Sequence, residues 1–233
     1  MNKILDIINL SKHYGGINVA DDIDFSIPMQ SIVGIYGDNG AGKTTFFNLI
    51  SGFEHPDSGQ IWMKNVNISN KSVLQRAQMG MGRLFQKPRL FSGVTVFDNL
   101  LAAANLSKGH HLLNYLFKYN QIIKEDFDNK QRASQILHQF SLGSKENLKA
   151  HELSVGERKL LSLGCLLMNG ADFILLDELS SGLNRIMIDN LIIVLNDLNK
   201  SGITFLLIEH NKEFLKSVCN EVFLMQNGKI LKS

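Results

Sequence analysis

Cysteine is scarce in these 233 residues: only Cys165 and Cys219 occur, in apolar surroundings and without a CxxC pair. That pattern argues against a disulfide framework or a cysteine metal centre and for buried reduced thiols, as a reducing cytosol would keep them. Long apolar runs are missing too. None approaches the roughly 18 residues needed to cross a bilayer, so work at a membrane would require an integral partner. Nor is there a surplus of one charge: 24 Lys and Arg stand against 22 Asp and Glu, a formal +2, which makes no basic field on the scale nucleic acid requires. No internal repeat or low-complexity tract is present, and Met1-Asn2-Lys3 runs straight into strand-like Ile4–Ile8. With 44% apolar and 20% charged residues, the chain reads as an ordinary globular protein. Its length suits one large α/β domain, or a core with an appended subdomain.

Periodicity outlines the elements. Ile23, Phe25 and Ile27 alternate with Asp24 and Ser26 as in a half-buried strand, and Ile61–Met63 and Val66–Ile68 are further strand candidates. The apolar run Ser31–Tyr36 leads through glycines into helix-like Thr44–Ile50. Residues 96–140 read as helical, with Leu112, Leu113, Leu116 and Phe117 as an amphipathic stripe among Lys108, Lys118, Lys124, Lys130 and Arg132. That stripe fits packing on its own subdomain better than direct membrane contact. Beyond residue 150 come a helix over 155–168, a buried strand Phe173–Leu176, a helix near 186–199 and a second buried strand Thr204–Ile208. This order implies a parallel sheet. Val222–Met225, Asn227-Gly228 and Ile230-Leu231 predict a terminal hairpin with a type I′ turn.

Chemistry concentrates at a few points. Gly37-Asp38-Asn39-Gly40-Ala41-Gly42-Lys43-Thr44 is a G-x-x-x-x-G-K-[ST] phosphate loop in the strand–loop–helix setting that the motif requires. Its glycines let backbone N–H groups close on phosphates, Lys43 adds a point charge, and the Thr44 hydroxyl suits Mg²⁺. Phe173-Ile174-Leu175-Leu176-Asp177-Glu178 completes the pair as a buried strand ending in two acids. Asp177 is a Mg²⁺ partner, and Glu178 is the candidate base for water attacking the γ-phosphoryl group. Leu153-Ser154-Val155-Gly156-Glu157 precedes a helix, and Ser154 with Glu157 also reads as a capping box.

With Leu153–Glu157 between those two motifs, the chain resembles the ATP-binding-cassette ATPases over essentially its whole length. Arg83–Phe91 with Thr95-Val96, Asn48–Phe53, Gly182-Leu183-Asn184 and Ile208-Glu209-His210 look most like the ATPases of branched-chain amino-acid importers, with urea importers close by. The resemblance implies an α/β fold: a RecA-like P-loop NTPase core (1–86 and 158–233) with an antiparallel β subdomain, and a helical subdomain inserted at about 87–157. It implies that Tyr14 stacks on adenine and that Gly37, Asp38, Asn39, Gly40, Ala41, Gly42, Lys43, Thr44 and Thr45 hold ATP. Ser154 and Gly156 would face the nucleotide of a second subunit. Thr44, Gln86 and Asp177 would serve Mg²⁺, and Glu178, Gln86 and His210 hydrolysis.

It also implies a dimer, with an identical or paralogous cassette, docked through an integral-membrane permease at the cytoplasmic face of the cell membrane. A soluble regulatory or nucleic-acid-associated ATPase is the alternative from another class, and an export motor a third. Two positions depart from the family wording. Leu179 stands where proline is usual, and Glu157 replaces glutamine, placing a carboxylate where it would repel a docked triphosphate in the closed dimer.

Overall fold

The computed structural model describes residues 2–87, 89–106 and 119–232. The predicted stripe Leu112, Leu113, Leu116, Phe117 lies outside the described residues, as does Pro88. The chain divides into two compact units, one made of residues 1–86 and 172–233, the other of residues 87–171.

The first unit holds two sheets. In the four-stranded antiparallel sheet, β1 (Lys3–Tyr14) lies between β2 (Ile17–Pro28) and β4 (Ser58–Met63), and β5 (Val66–Asn67) extends the far edge. Ile23, Phe25 and Ile27 are buried as their alternation predicts, while the expected strand Val66–Ile68 keeps only two residues in the sheet. The six-stranded sheet has the order β10-β9-β3-β8-β7-β6, built from β3 (Ile32–Tyr36), β6 (Met81–Leu84), β7 (Phe173–Asp177), β8 (Thr204–Ile208), β9 (Glu221–Gln226) and β10 (Lys229–Lys232). All of its pairings are parallel except β9–β10. That pair is the predicted hairpin, and both turn residues, Asn227 and Gly228, have the positive φ of a type I′ turn.

Helix α1 (Lys43–Ser51) buries Phe46, Phe47, Leu49 and Ile50 in a core shared with residues of both sheets, each contributing about 1.5–3 kcal/mol. Phe46 meets Phe25 of β2 edge to face, with ring centroids 5.8 Å apart. The C-terminal end of α1 is closed by Arg76, which belongs to the short helix α2 (Val73–Gln78) and is 1% exposed. Its guanidinium donates to the carbonyls of Leu49 and Ile50 (both 2.6 Å), Lys71 (2.9 Å) and Ser69 (3.1 Å). A cation at this end satisfies carbonyls that the helix cannot pair and complements its dipole. Burial pushes the guanidinium pKa down to about 10, so the group stays charged at neutral pH.

In the second unit the predicted 96–140 helical run contains α3 (Val96–Leu106) and α4 (Tyr119–Gln139), which pack with α5 (Val155–Met168). A side chain at Gly164 of α5 would stand 2.9 Å from Ile136 and 3.0 Å from Leu100, so glycine lets the three helices approach. This unit runs on to Ala171, whereas the expected boundary at about 157 falls at the start of α5. The helix predicted near 186–199 is α6 (Arg185–Lys200), followed by α7 (Lys212–Val218).

Replacing Arg76 by Met should strand four carbonyls and lower the stability of the first unit by about 3 kcal/mol. Urea unfolding followed by the fluorescence of Trp62, the single tryptophan, which lies in β4, measures this; an unchanged midpoint would refute the capping role.

Candidate active site

Parallel register brings the chemistry together. Ile35 of β3 pairs with Ile208 of β8, and Ile208 pairs with Asp177 of β7. The strand ends therefore deliver the phosphate loop, Asp177-Glu178 and Glu209-His210 to one edge of the sheet, where sites in parallel α/β folds are built. On the other side of β7, Leu84 pairs with Leu176, which brings Gln86 to the same edge.

The loop leaves β3 at Gly37 and enters α1 at Lys43. A Cβ on Gly37 would lie 2.2 Å from the Met225 carbonyl, and one on Gly42 would lie 2.4 Å from that of Val19. Gly40 and Gly42 also have φ of +82° and +100°. At Gly37 and Gly42 the loop is thus held against β9 and β2 with no space for a side chain. Gly42 caps α1 without a side-chain acceptor, so the helix N-terminus presents its N–H groups and positive dipole end to an anion. Lys43 donates through Nζ to the carbonyls of Gly37 (2.7 Å) and Asp38 (2.8 Å). Burial pulls its ammonium pKa down, and Glu178, Asp38 and Asp177 pull it back.

Facing the loop are the acids. Burial pushes the Asp177 carboxyl up, against the opposing charges of Arg83 and Lys43. Arg83 approaches Asp177 at 3.4 Å and donates to Asn48 Oδ1 (2.7 Å) and Ser51 Oγ (2.9 Å). Its guanidinium lies 4.9–5.6 Å from the ring centroids of Phe47, Phe53 and Phe85. Glu178 has a left-handed backbone, φ +50°, with its N–H on the Ile208 carbonyl at 2.9 Å. One carboxylate oxygen meets His210 Nε2 at 2.9 Å, and the other accepts from Gln86 Nε2.

Asn39, Gly40, Gly42, Lys43, Thr44, Thr45, Asp177, Glu178 and His210 line a single pocket of about 200 Å³ together with Val19 and Ile208. Gly37 and Asp38 join it through Lys43, Ala41 lies between them in the loop with its N–H on the Asp38 carbonyl, and Gln86 joins through Glu178. Tyr14 is not among the lining residues; it ends β1 half exposed, with its hydroxyl on Glu54. Ser154 and Gly156 belong to the second unit. There Ser154 caps α5 in the predicted capping box, with Glu157 N–H on Ser154 Oγ at 3.3 Å and Ser154 N–H on Glu157 Oε2 at 3.0 Å.

The sequence assigns no site role to Val19 and Ile208, which line the pocket, to Arg83, which braces Asp177, or to Lys145, which meets Glu157 Oε1 at 2.6 Å. Burial alone would raise the Glu157 carboxyl, but Lys145 and Ser154 outweigh it and hold the pKa below the ordinary range. No sequence signal marks these partners, because each acts across a loop or between strands.

A profile of the ABC transporter family matches residues 20–181. The chain belongs to the ABC transporter family. Among its relatives, a probable branched-chain amino acid transport ATP-binding protein from Methanocaldococcus jannaschii is 32% identical over 98% of this chain and 88% of its own length. The lipopolysaccharide export system ATP-binding protein of Acidithiobacillus ferridurans is 29% identical over 99% of this chain and 90% of its own. Among solved structures, the ADP conformation of an ATP-binding cassette of an ABC transporter superposes with a TM-score of 0.85 at 32% identity, covering 99% and 90% of the two chains. The expected α/β P-loop fold is borne out by that likeness. As an ABC ATPase, this protein binds and hydrolyses ATP.

Lys43→Ala removes the cation at the centre of the pocket, and binding of ATP or its turnover should fall below detection. Titration with a fluorescent ATP analogue and a phosphate-release assay check this; near-normal hydrolysis would sink the site.

Proposed function

We propose that this ABC ATPase is the motor subunit of a membrane transporter that imports a small polar solute, with branched-chain amino acids as the solute class. The single observation that carries the motor assignment is the arrangement at Glu178, whose carboxylate is shared between Gln86 and His210 in the pocket that also holds Lys43 and Thr44. Relatives named for branched-chain amino acid transport, at 30–32% identity, support the solute class. Relatives named for lipopolysaccharide export, at 29–30% identity, support export as the second reading.

The residues divide the work. The α1 N-terminus and Lys43 take the β- and γ-phosphates. Thr44, Asp177 and Gln86 would hold Mg²⁺. These offer a hydroxyl, a carboxylate and an amide oxygen, the hard donors that such a cation takes, with phosphate oxygens and water completing its shell. When bound, Mg²⁺ neutralises charge that develops on the phosphoryl oxygens. Glu178 accepts the proton of the attacking water, while His210 and Gln86 orient its carboxylate. Tyr14 would stack on the adenine.

The outer side of the γ-phosphate is left for a second cassette, identical or paralogous, whose Ser154 and Gly156 would cover it from the N-terminus of α5. ATP then joins the two subunits and hydrolysis releases them. Lys145 offsets the charge of Glu157 at that edge, so the carboxylate serves the helix cap instead of repelling the docked nucleotide. No described helix is long and apolar enough to cross a membrane. From the family's transporter role, and not from that absence, we propose that the dimer sits at the cytoplasmic face of the cell membrane, attached through a permease.

Glu178→Gln should retain nucleotide affinity, slow hydrolysis by ~10²–10⁴-fold and accumulate as an ATP-bound dimer in light scattering. A monomer with intact hydrolysis would contradict the assignment of the base. In that background Lys145→Ala should weaken ATP-driven dimerisation several-fold, and adding Glu157→Gln should restore it; no effect of either would mean that the pair lies away from the docked phosphates. The transport role itself is tested by affinity purification from detergent-solubilised membranes. Co-elution of an integral-membrane permease is expected, and a chain recovered alone, in the fraction that needs no detergent, would favour the soluble-regulator reading.

A further inference from the structure

Glu209 is a carboxylate only 3% exposed, outside the lining of the nucleotide pocket, and no step above uses it. It stands between Ile208, whose carbonyl accepts the Glu178 N–H, and His210, whose ring meets the Glu178 carboxylate. Its own N–H continues the sheet by donating to the Ile35 carbonyl at 3.1 Å. Each of its carboxylate oxygens accepts from Ser180: Oε1 takes the N–H at 2.7 Å, and Oε2 takes the hydroxyl at 2.8 Å.

Segment 178–180 is consequently pinned to segment 208–210 at Glu178 and at Ser180. The middle residue, Leu179, is 1% exposed and anchors the turn by burial. The turn needs anchoring, because Glu178 carries φ +50°, a left-handed conformation that a non-glycine residue keeps only where surrounding contacts over-determine it. Where the family wording has a proline to stiffen this turn, the chain has Leu179 and the two-point grip of Glu209 on Ser180.

We infer that Glu209 is a positioning residue for hydrolysis: its clamp on Ser180 holds Glu178 in the left-handed backbone that aims its carboxylate at the pocket. The inference rests on Glu178 being the water-activating base. Glu209 does not line the pocket where the nucleotide and the attacking water would sit. Removing it leaves the phosphate loop, Lys43 and Thr44 intact, so ATP still binds. What is lost is the placement of the carboxylate, and a displacement of about 1 Å at a catalytic group costs on the order of a hundredfold in rate.

The test compares Glu209→Ala, Glu209→Gln, Ser180→Ala and Glu178→Gln in the full chain. Glu209→Ala should lower kcat roughly tenfold to a hundredfold while leaving KM for ATP and equilibrium ATP affinity nearly unchanged. In the nucleotide-free chain, amide hydrogen exchange should accelerate across residues 178–183 and not across 43–51. Glu209→Gln should restore most of the rate, since its amide oxygen accepts the Ser180 N–H and its NH₂ donates to the hydroxyl. Ser180→Ala, which keeps one of the two bonds, should show a smaller loss in the same direction and decides the matter if Glu209→Ala does not fold. Wild-type kcat and unchanged exchange in Glu209→Ala or Ser180→Ala would overturn the inference, as would a loss of rate matched by an equal loss of ATP affinity. Glu178→Gln separates the two levels: if it still hydrolyses ATP the base assignment is wrong, whereas an inactive Glu178→Gln beside a fully active Glu209→Ala refutes the clamp alone.

Discussion

A slip of one residue between β7 and β8 would dismantle the site. The pairing of Ile35 with Ile208 and of Ile208 with Asp177 puts three chain segments, far apart in sequence, at one sheet edge, and side chains alternate faces along a strand. Register is held by burial on both sides: Phe173, Ile174, Leu175 and Leu176, like Phe205, Leu206 and Leu207, are entirely inaccessible to solvent. Every other feature of the pocket presupposes that alignment. The loop glycines shape a cradle only because β3 ends beside β9, and Glu178 reaches Gln86 and His210 only because β6 and β8 flank β7.

Much of this was legible in the sequence where a local signal coincided with a structural need. The phosphate loop is legible because close backbone approach demands glycine at Gly37 and Gly42, whatever surrounds them. The buried strands are legible as apolar runs, and Asn227-Gly228 marks a hairpin because both residues must take positive φ. The capping box at Ser154 depends on residues three apart, so spacing alone reveals it.

What stayed hidden is long-range or short in extent. β6 has four residues, among them Gly82 and Arg83, and gives no strand-like pattern; it exists because β7 offers it a partner. Arg83 and Asp177 are 94 positions apart, and Gln86 and Glu178 are 92 apart. Sequence order suggested that the latter pair belongs to one site, without showing that the two side chains bond each other. Lys145 is nearer to Glu157, yet it reaches it from a separate 3-10 turn, Gly143–Lys145, and the charge expected to stand bare beside a docked nucleotide is met by a cation. A residue's isolated charge is a poor guide to the field it projects when its neighbours are set by tertiary structure.

The seating of the phosphate loop also bears on how the protein is made. Gly37 rests on the carbonyl of Met225, and Gly42 on Val19 and the Met225 methyl, while both strands flanking β3, β8 and β9, follow it by more than 165 residues. A ribosome delivers the nucleotide-binding motif well before the strands that shape it. Over that interval the nascent chain carries the motif without a formed cradle. Competence to bind ATP would arise only once β9 has emerged and paired, so the motif and the function it serves are born apart.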